Sequence, residues 1–137
     1  MFCDGVRESL RRKKAATYLL CQNISNDMER KAKSIAPWQD RTAHARQSIN
    51  SETQLSGYDI NMTISHGVKY GRYLEKGTSA HSIYLKNKKA FMWNGLPHPI
   101  KKNPIKHPGT KPYPAIIPAI EYGKKQLDME IKKLWEE

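Results

Sequence analysis

From Asp4 to Ala36 the chain contains no proline and a single glycine, and it places Ala16, Leu20, Ile24, Met28, Ala32 and Ile35 at steps of three or four residues. That spacing puts the apolar side chains on one face of a long amphipathic helix. Asp4 suits the N-cap, and Pro37 ends the pattern, because proline disfavours helical geometry in the residue before it. At 1.5 Å per residue such a helix is on the order of 45 to 50 Å long, more than a compact domain of this size is wide. The sequence therefore predicts either a kink near Ser25 to Asp27 or one projecting end.

The remainder reads as shorter elements. Trp38 to Ala45 is a polar connection, Gln47 to Gln54 a strand, and Ser56-Gly57 a turn. Tyr58, Ile60, Met62 and Ile64 then alternate with polar residues, the pattern of a strand with one buried face. Val68, Tyr70, Tyr73 and Leu74 return to helical spacing, with Gly77 suited to a left-handed C-terminal cap. Tyr70, Tyr73 and Leu74 share a helix face that is expected to pack on the sheet. Ile83 to Leu85, Ala90 to Trp93 and Ile100 to Ile105 read as short strands, and the prolines around the last favour an edge strand or an arm. Pro118 suits the first turn of a final helix striped by Ile120, Leu127, Ile131 and Leu134. Gly123 is a cost of about 1 kcal/mol to that helix. The expected fold is α+β: long N-terminal and C-terminal helices on a mainly antiparallel sheet, a short helix after the central hairpin, and a long loop or arm. All 137 residues form one domain, within which residues 76–112 are a basic, Pro- and Lys-rich arm.

Charge narrows the partners. The chain carries 24 Lys and Arg against 13 Asp and Glu, a formal +11. No acid lies between Glu75 and Glu121, while Lys76, Lys86, Lys88, Lys89, Lys101, Lys102, Lys106 and Lys111 do. An acidic partner, protein or nucleic acid, is implied. Tyr84, Phe91, Trp93 and Tyr113 interleave with those lysines; such aromatics stack on bases in some proteins and form subunit interfaces in more. Cys3 and Cys21 lack metal or disulfide spacing and read as free thiols. His44, His66, His81, His98 and His107 show no metal-ligand pattern, and no nucleophile elbow or phosphate loop occurs, so neither catalysis nor a cofactor is expected. No apolar run spans a membrane and no signal peptide precedes the helix, so a soluble, cytoplasm-made protein is expected.

Three strings read together carry a resemblance. APWQDRTAHARQSI (Ala36 to Ile49) ends a helix at Ala-Pro and turns through Asp40 and Arg41 into a strand. YGRYLEKGTSAHSI (Tyr70 to Ile83) holds Tyr70, Tyr73, Glu75, Gly77 and Thr78. HPGTKPYPAIIPAI (His107 to Ile120) holds Pro108, Gly109, Pro114 and Pro118. In order and spacing, over roughly Ala32 to Ile120, they resemble the tail-completion or head-to-tail joining proteins of tailed bacteriophages, the neck and minor tail components. The chain departs from that pattern in lacking a glycine expected near Ala43 and a proline expected near Tyr84.

The resemblance implies a structural virion protein at the neck, assembled in the host cytoplasm as a ring of its own copies, with six the expected number. It would meet a head-closure or stopper protein and the tail tube protein, touch DNA in the channel without sequence preference, and need neither cofactor nor membrane. Pro37, Asp40, Arg41, Tyr70, Tyr73, Glu75, Gly77, Thr78, Pro108, Gly109, Pro114 and Pro118 are then structural motif residues. Glu75 is positioned to pair with a cation, and Gly77 and Gly109 are backbone residues of unusual torsion. Lys86, Lys88, Lys89, Trp93, Lys101, Lys102, Lys106 and Lys111 are the candidate interface. The alternative is a basic nucleic-acid-binding module that uses the same Lys76 to Lys111 segment on phosphate.

Overall fold

A computed structural model describes residues 2–84, 90–93, 96–99 and 104–136. The chain folds as an α+β domain with its N- and C-terminal helices packed on an antiparallel hairpin and a short helix after that hairpin. The first helix, α1, runs unbroken from Phe2 to Ile35, through Ser25 to Asp27, and at 34 residues is about 51 Å long. Of the two expected outcomes the projecting end is the one realised: Cys3 to Arg12 are all exposed, and burial begins at Lys13. There the other long helix, α4 (Ile116–Glu136), reaches its end, with the Trp135 indole N–H donating to Thr17 Oγ1 at 3.3 Å and Lys13 over the indole ring.

The core lies where α1 crosses α4 above the hairpin. Ile24, Met28, Ala32, Ile49 and Ala119 form it, with Leu20, Trp38, Met62, Ile64 and Leu127 packed around them. Gly123 is buried, and a Cβ there would run into Met28. Its missing side chain is thus what lets the two helices approach, so the position is a packing requirement as well as a propensity cost. The stripe of α4 centres on Ala119, Gly123 and Leu127; Ile120, expected inside, is 45% exposed.

The connection after α1 holds an element the sequence reading did not foresee. Ala43 adopts φ 57°, ψ 1°, a left-handed conformation close to where the resembled pattern expects a glycine. That turn starts a one-turn helix, α2 (His44–Gln47), whose Ala, Arg and Gln are good helix formers. Strand β1 follows at Ile49–Ser56 and pairs with β2 (Asp59–His66) from Ile49↔His66 to Ser56↔Asp59. Gly57 and Tyr58 are the two loop residues, Gly57 at φ 61° as a tight hairpin requires. Tyr58, expected at the head of the buried face, is instead 94% exposed in the turn, with the Lys14 ammonium 4.6 Å from its ring centroid. The inward alternation begins at Ile60 and continues through Met62 and Ile64.

After the hairpin come helix α3 (Gly71–Lys76), then β3 (His81–Ile83), β4 (Ala90–Trp93), β5 (Leu96–Pro99) and β6 (Ile105–His107). They form two more antiparallel pairs, β3 with β6 and β4 with β5, so the described strands make three separate two-stranded ladders. Pro97 and Pro99 sit two apart in β5, opposite Met92 and Ala90. That phase points both missing N–H groups to the outer edge, where no ladder bond is lost. Lys86, Lys88, Lys89, Lys101, Lys102 and the Trp93 side chain lie outside the described residues, as do parts of the expected strands at Ile83 to Leu85 and Ile100 to Ile105.

Candidate functional site

Two of the three recognised strings, about thirty residues apart in sequence, meet at the root of the basic arm. Thr78 and Thr110 form a bridge in which each N–H donates to the other's carbonyl at 3.0 Å, and their hydroxyl oxygens lie 3.1 Å apart. Each threonine follows a glycine of positive φ, Gly77 at 69° and Gly109 at 87°. A Cβ on Gly77 would collide with the Thr110 carbonyl, and one on Gly109 with the Thr78 carbonyl. The two Gly-Thr pairs thus interlock, and only glycine fits either position. Gly77 has ψ −171°, so it opens the chain into an extended path rather than closing α3 with the expected left-handed cap. Beyond this clasp β3 and β6 pair for three residues, His81 opposite His107 with ring centroids 5.0 Å apart. The His81 Nδ1 lies 2.9 Å from the Ser79 carbonyl, and the Gly109 N–H donates to His107 Nδ1 at 3.0 Å.

Glu75 ties the clasp to the core. Its Oε1 accepts the backbone N–H groups of Ala115 and Ile116, each at 2.8 Å, where α4 begins. The same oxygen lies 3.3 Å from His66 Nε2. Its side chain is 10% exposed and that of His66 6%. In place of the cation expected for Glu75 stands the partial positive charge of a helix N-terminus, with a histidine at the end of β2 beside it. Gly71 is buried against the imidazole with no room for a Cβ, and the Trp38 ring lies 5.8 Å away. Tyr113 adds a backbone bond from its N–H to Leu74 O at 2.7 Å.

The first string performs a parallel task. Arg46 on α2 donates to the carbonyl of Lys33, which Pro37 leaves without a helical partner, and to those of Ala36 and Trp38 just beyond α1. Asp40 orients it, accepting from Arg46 Nε at 2.5 Å and from the Trp38 indole at 3.2 Å. Pro37 and Arg41 are exposed. Arg46 was not singled out from the sequence, although it stands inside the first quoted string, and His66 was weighed only as a metal ligand. The loop from Trp38 to Ala45, with Tyr70 and Leu74, borders an open groove of about 400 Å³.

Tyr70 and Tyr73 do not pack on the sheet as expected. They are 47% and 46% exposed, and the small Gly71 faces inward in their place. The Arg72 guanidinium lies 4.7 Å from the Tyr73 ring centroid, and its Nη2 donates to the Tyr73 hydroxyl at 2.9 Å. Lys106, Lys111, Pro108 and Pro114 are exposed, and Pro118 is in the first turn of α4 as expected. From Ile60 to Ile120 the chain holds ten Lys and Arg and one carboxylate, Glu75, hence +9 of the total +11.

Elsewhere, Glu29 on α1 accepts the Ser51 N–H at 2.8 Å and hydroxyl at 3.0 Å, and Lys33 at 2.7 Å. Burial raises its pKa, but the bonds from Lys33 and Ser51 outweigh that and hold it below the ordinary carboxylate value. Burial pushes the Cys21 thiol up. Among the described residues no three His, Cys, Asp or Glu side chains are placed to share a metal ion, and no helix is long and apolar enough to cross a membrane. No family model, curated protein or solved structure matches the chain.

Proposed function

We propose that this chain is a structural subunit of a tailed-phage neck, a tail-completion or head-to-tail joining protein that works by assembling into a ring and carries out no chemical step. The observation that supports this reading most is the clasp. The second and third strings, distant in the sequence, converge on one joint whose function in the fold is mechanical: it grips both ends of an arm and anchors them through Glu75 to the last helix. The motif residues are occupied with backbone geometry and capping. A ring needs two unlike patches that meet head to tail. The arm supplies one of them.

The test is complementation of an infection that lacks the wild-type gene. A Gly109→Val chain places a β-branched side chain at φ 87° against the Thr78 carbonyl, which opens the clasp. Circular dichroism should show the helices retained. Filled heads lying beside unattached tails are the expected result, whereas normal virions in wild-type numbers would overturn the joining role.

A further inference from the structure

The surface around α3 and the clasp has three properties in combination. Its cations are exposed: Lys69, Arg72 and Lys76 on and beside α3, Lys106 on β6, and Lys111 just past the clasp. The acid of α3, Glu75, is withdrawn into the fold, where Oε1 is already surrounded by two backbone N–H donors and His66, and Asp40, beside Tyr70 and Leu74, is paired with Arg46. Arg72 lies over the Tyr73 ring and is bonded to its hydroxyl, so one guanidinium is oriented before any partner arrives. A planar, pre-oriented guanidinium among mobile ammonium groups suits the two-oxygen geometry of phosphate.

Another copy of the chain is a poor counterpart for this surface. Outside residues 60–120 the chain carries 14 cations against 12 carboxylates, so a neighbouring subunit offers no net negative half to set against these five cations. Copies brought together here would repel, and a ring would concentrate the charge further. We infer that the α3 and clasp face binds the phosphate backbone of duplex DNA, independent of base sequence, and is not a contact between copies. The exposed hydroxyl of Ser79 and the edges of Tyr70 and Tyr113 add donors of the kind that fix a duplex without reading it. This inference rests on the charge and geometry of the single chain and does not require the ring.

The experiment is fluorescence anisotropy of a short labelled duplex of mixed sequence with the full chain, over a salt series. Binding should weaken steeply with salt. Replacing Lys69, Arg72, Lys76, Lys106 and Lys111 together by Gln should weaken it at least about tenfold at low salt and flatten the log–log salt slope by about 3 to 4, near 0.9 per lost phosphate contact. Arg72→Gln alone should flatten it by about 1. The control removes five exposed cations elsewhere, Arg11, Arg41, Lys124, Lys125 and Lys132, and should change binding under about threefold. Equal losses in the two five-site variants would reduce the effect to net charge and overturn the assignment. So would absence of binding at low salt, or polyglutamate displacing the duplex at matched charge, which would make the partner an acidic protein. Ring formation is read separately, by native mass, so failure here and failure of the joining role are distinguishable.

Discussion

The helix and hairpin scaffold and the clasp with its arm are made by different means. In the scaffold, apolar side chains converge on one core: Ile49, Ala32 and Ala119 are fully buried, and α1 and α4 touch closely enough to need Gly123. Between β2 and Ala115, none of the side chains whose burial is described belongs to that core. What holds this second region is backbone: the Gly77–Thr78 and Gly109–Thr110 interlock, the short β3–β6 ladder, and the carboxylate of Glu75. Charge divides the same way, +9 in residues 60–120 and +2 in the rest. Where few side chains are buried, backbone bonding with few allowed conformations takes the place of packing.

Removing packing from the scaffold should therefore have the largest effect. Ile49→Ala empties a site of 0% exposure and is expected to cost about 3 kcal/mol in denaturant unfolding. If the two regions are built as described, amide exchange at Thr78 and Thr110 should already be faster than exchange along α1 in the wild-type chain. Equal protection in both would erase the distinction. Glu75 joins the regions and comes next. Glu75→Ala leaves two N–H groups at the start of α4 and the buried His66 without their acceptor, a loss of about 2 kcal/mol. Glu75→Gln keeps an acceptor oxygen for the helix N–H groups and should recover about half. Should Glu75→Ala prove neutral, the clasp would be held independently of the core.

The scaffold was legible in the sequence because period signals act over many residues. The stripe of α1, the alternation Ile60, Met62, Ile64 and the proline boundary at Pro37 each predict their element without knowledge of a partner. The clasp was legible only as two isolated glycines. That Gly77 and Gly109 face one another's carbonyl partners follows from a long-range register that no local pattern encodes. Tyr70 and Tyr73 misled for the same reason: helical spacing gave them a common face, but Gly71, which has no side chain to announce itself, turned the other face inward. Glu75 was noticed as an isolated acid, yet its acceptor role needed the start of α4 forty residues away.

Acid should separate the regions more gently. Glu29 has a folded pKa below its ordinary value, so its stabilisation is fully present above the unfolded carboxylate pKa, near 4.5, and is lost as pH falls through the lower folded value. Stability measured by denaturant from pH 6 downward should fall more in the wild-type chain than in Glu29→Gln, with the curves converging below pH 4.5. Parallel curves would show that the link between α1 and β1 through Ser51 contributes nothing that titrates.

The smallest expected effect is a gain. Three described glycines have positive φ, and the one other residue that does is Ala43, at φ 57°, ψ 1°. A left-handed alanine costs about 1 to 2 kcal/mol, and glycine's extra freedom in the unfolded chain returns part of that on substitution. Ala43→Gly should therefore stabilise the protein by about 0.5 kcal/mol, read as a rise of about 2 °C in melting temperature. Ala43→Val, with a branched Cβ at the same φ, should move it the other way. The strain is tolerated because neighbouring bonds over-determine the turn: Gln47 N–H to Ala43 O at 2.9 Å, Ser48 N–H to His44 O at 2.9 Å, and Arg46 holding the end of α1. At the clasp, with less core behind it, both positive-φ positions are glycine. If Ala43→Gly brought no gain, the packed scaffold would not be the region that carries strain, and the contrast between the two halves would rest on charge alone.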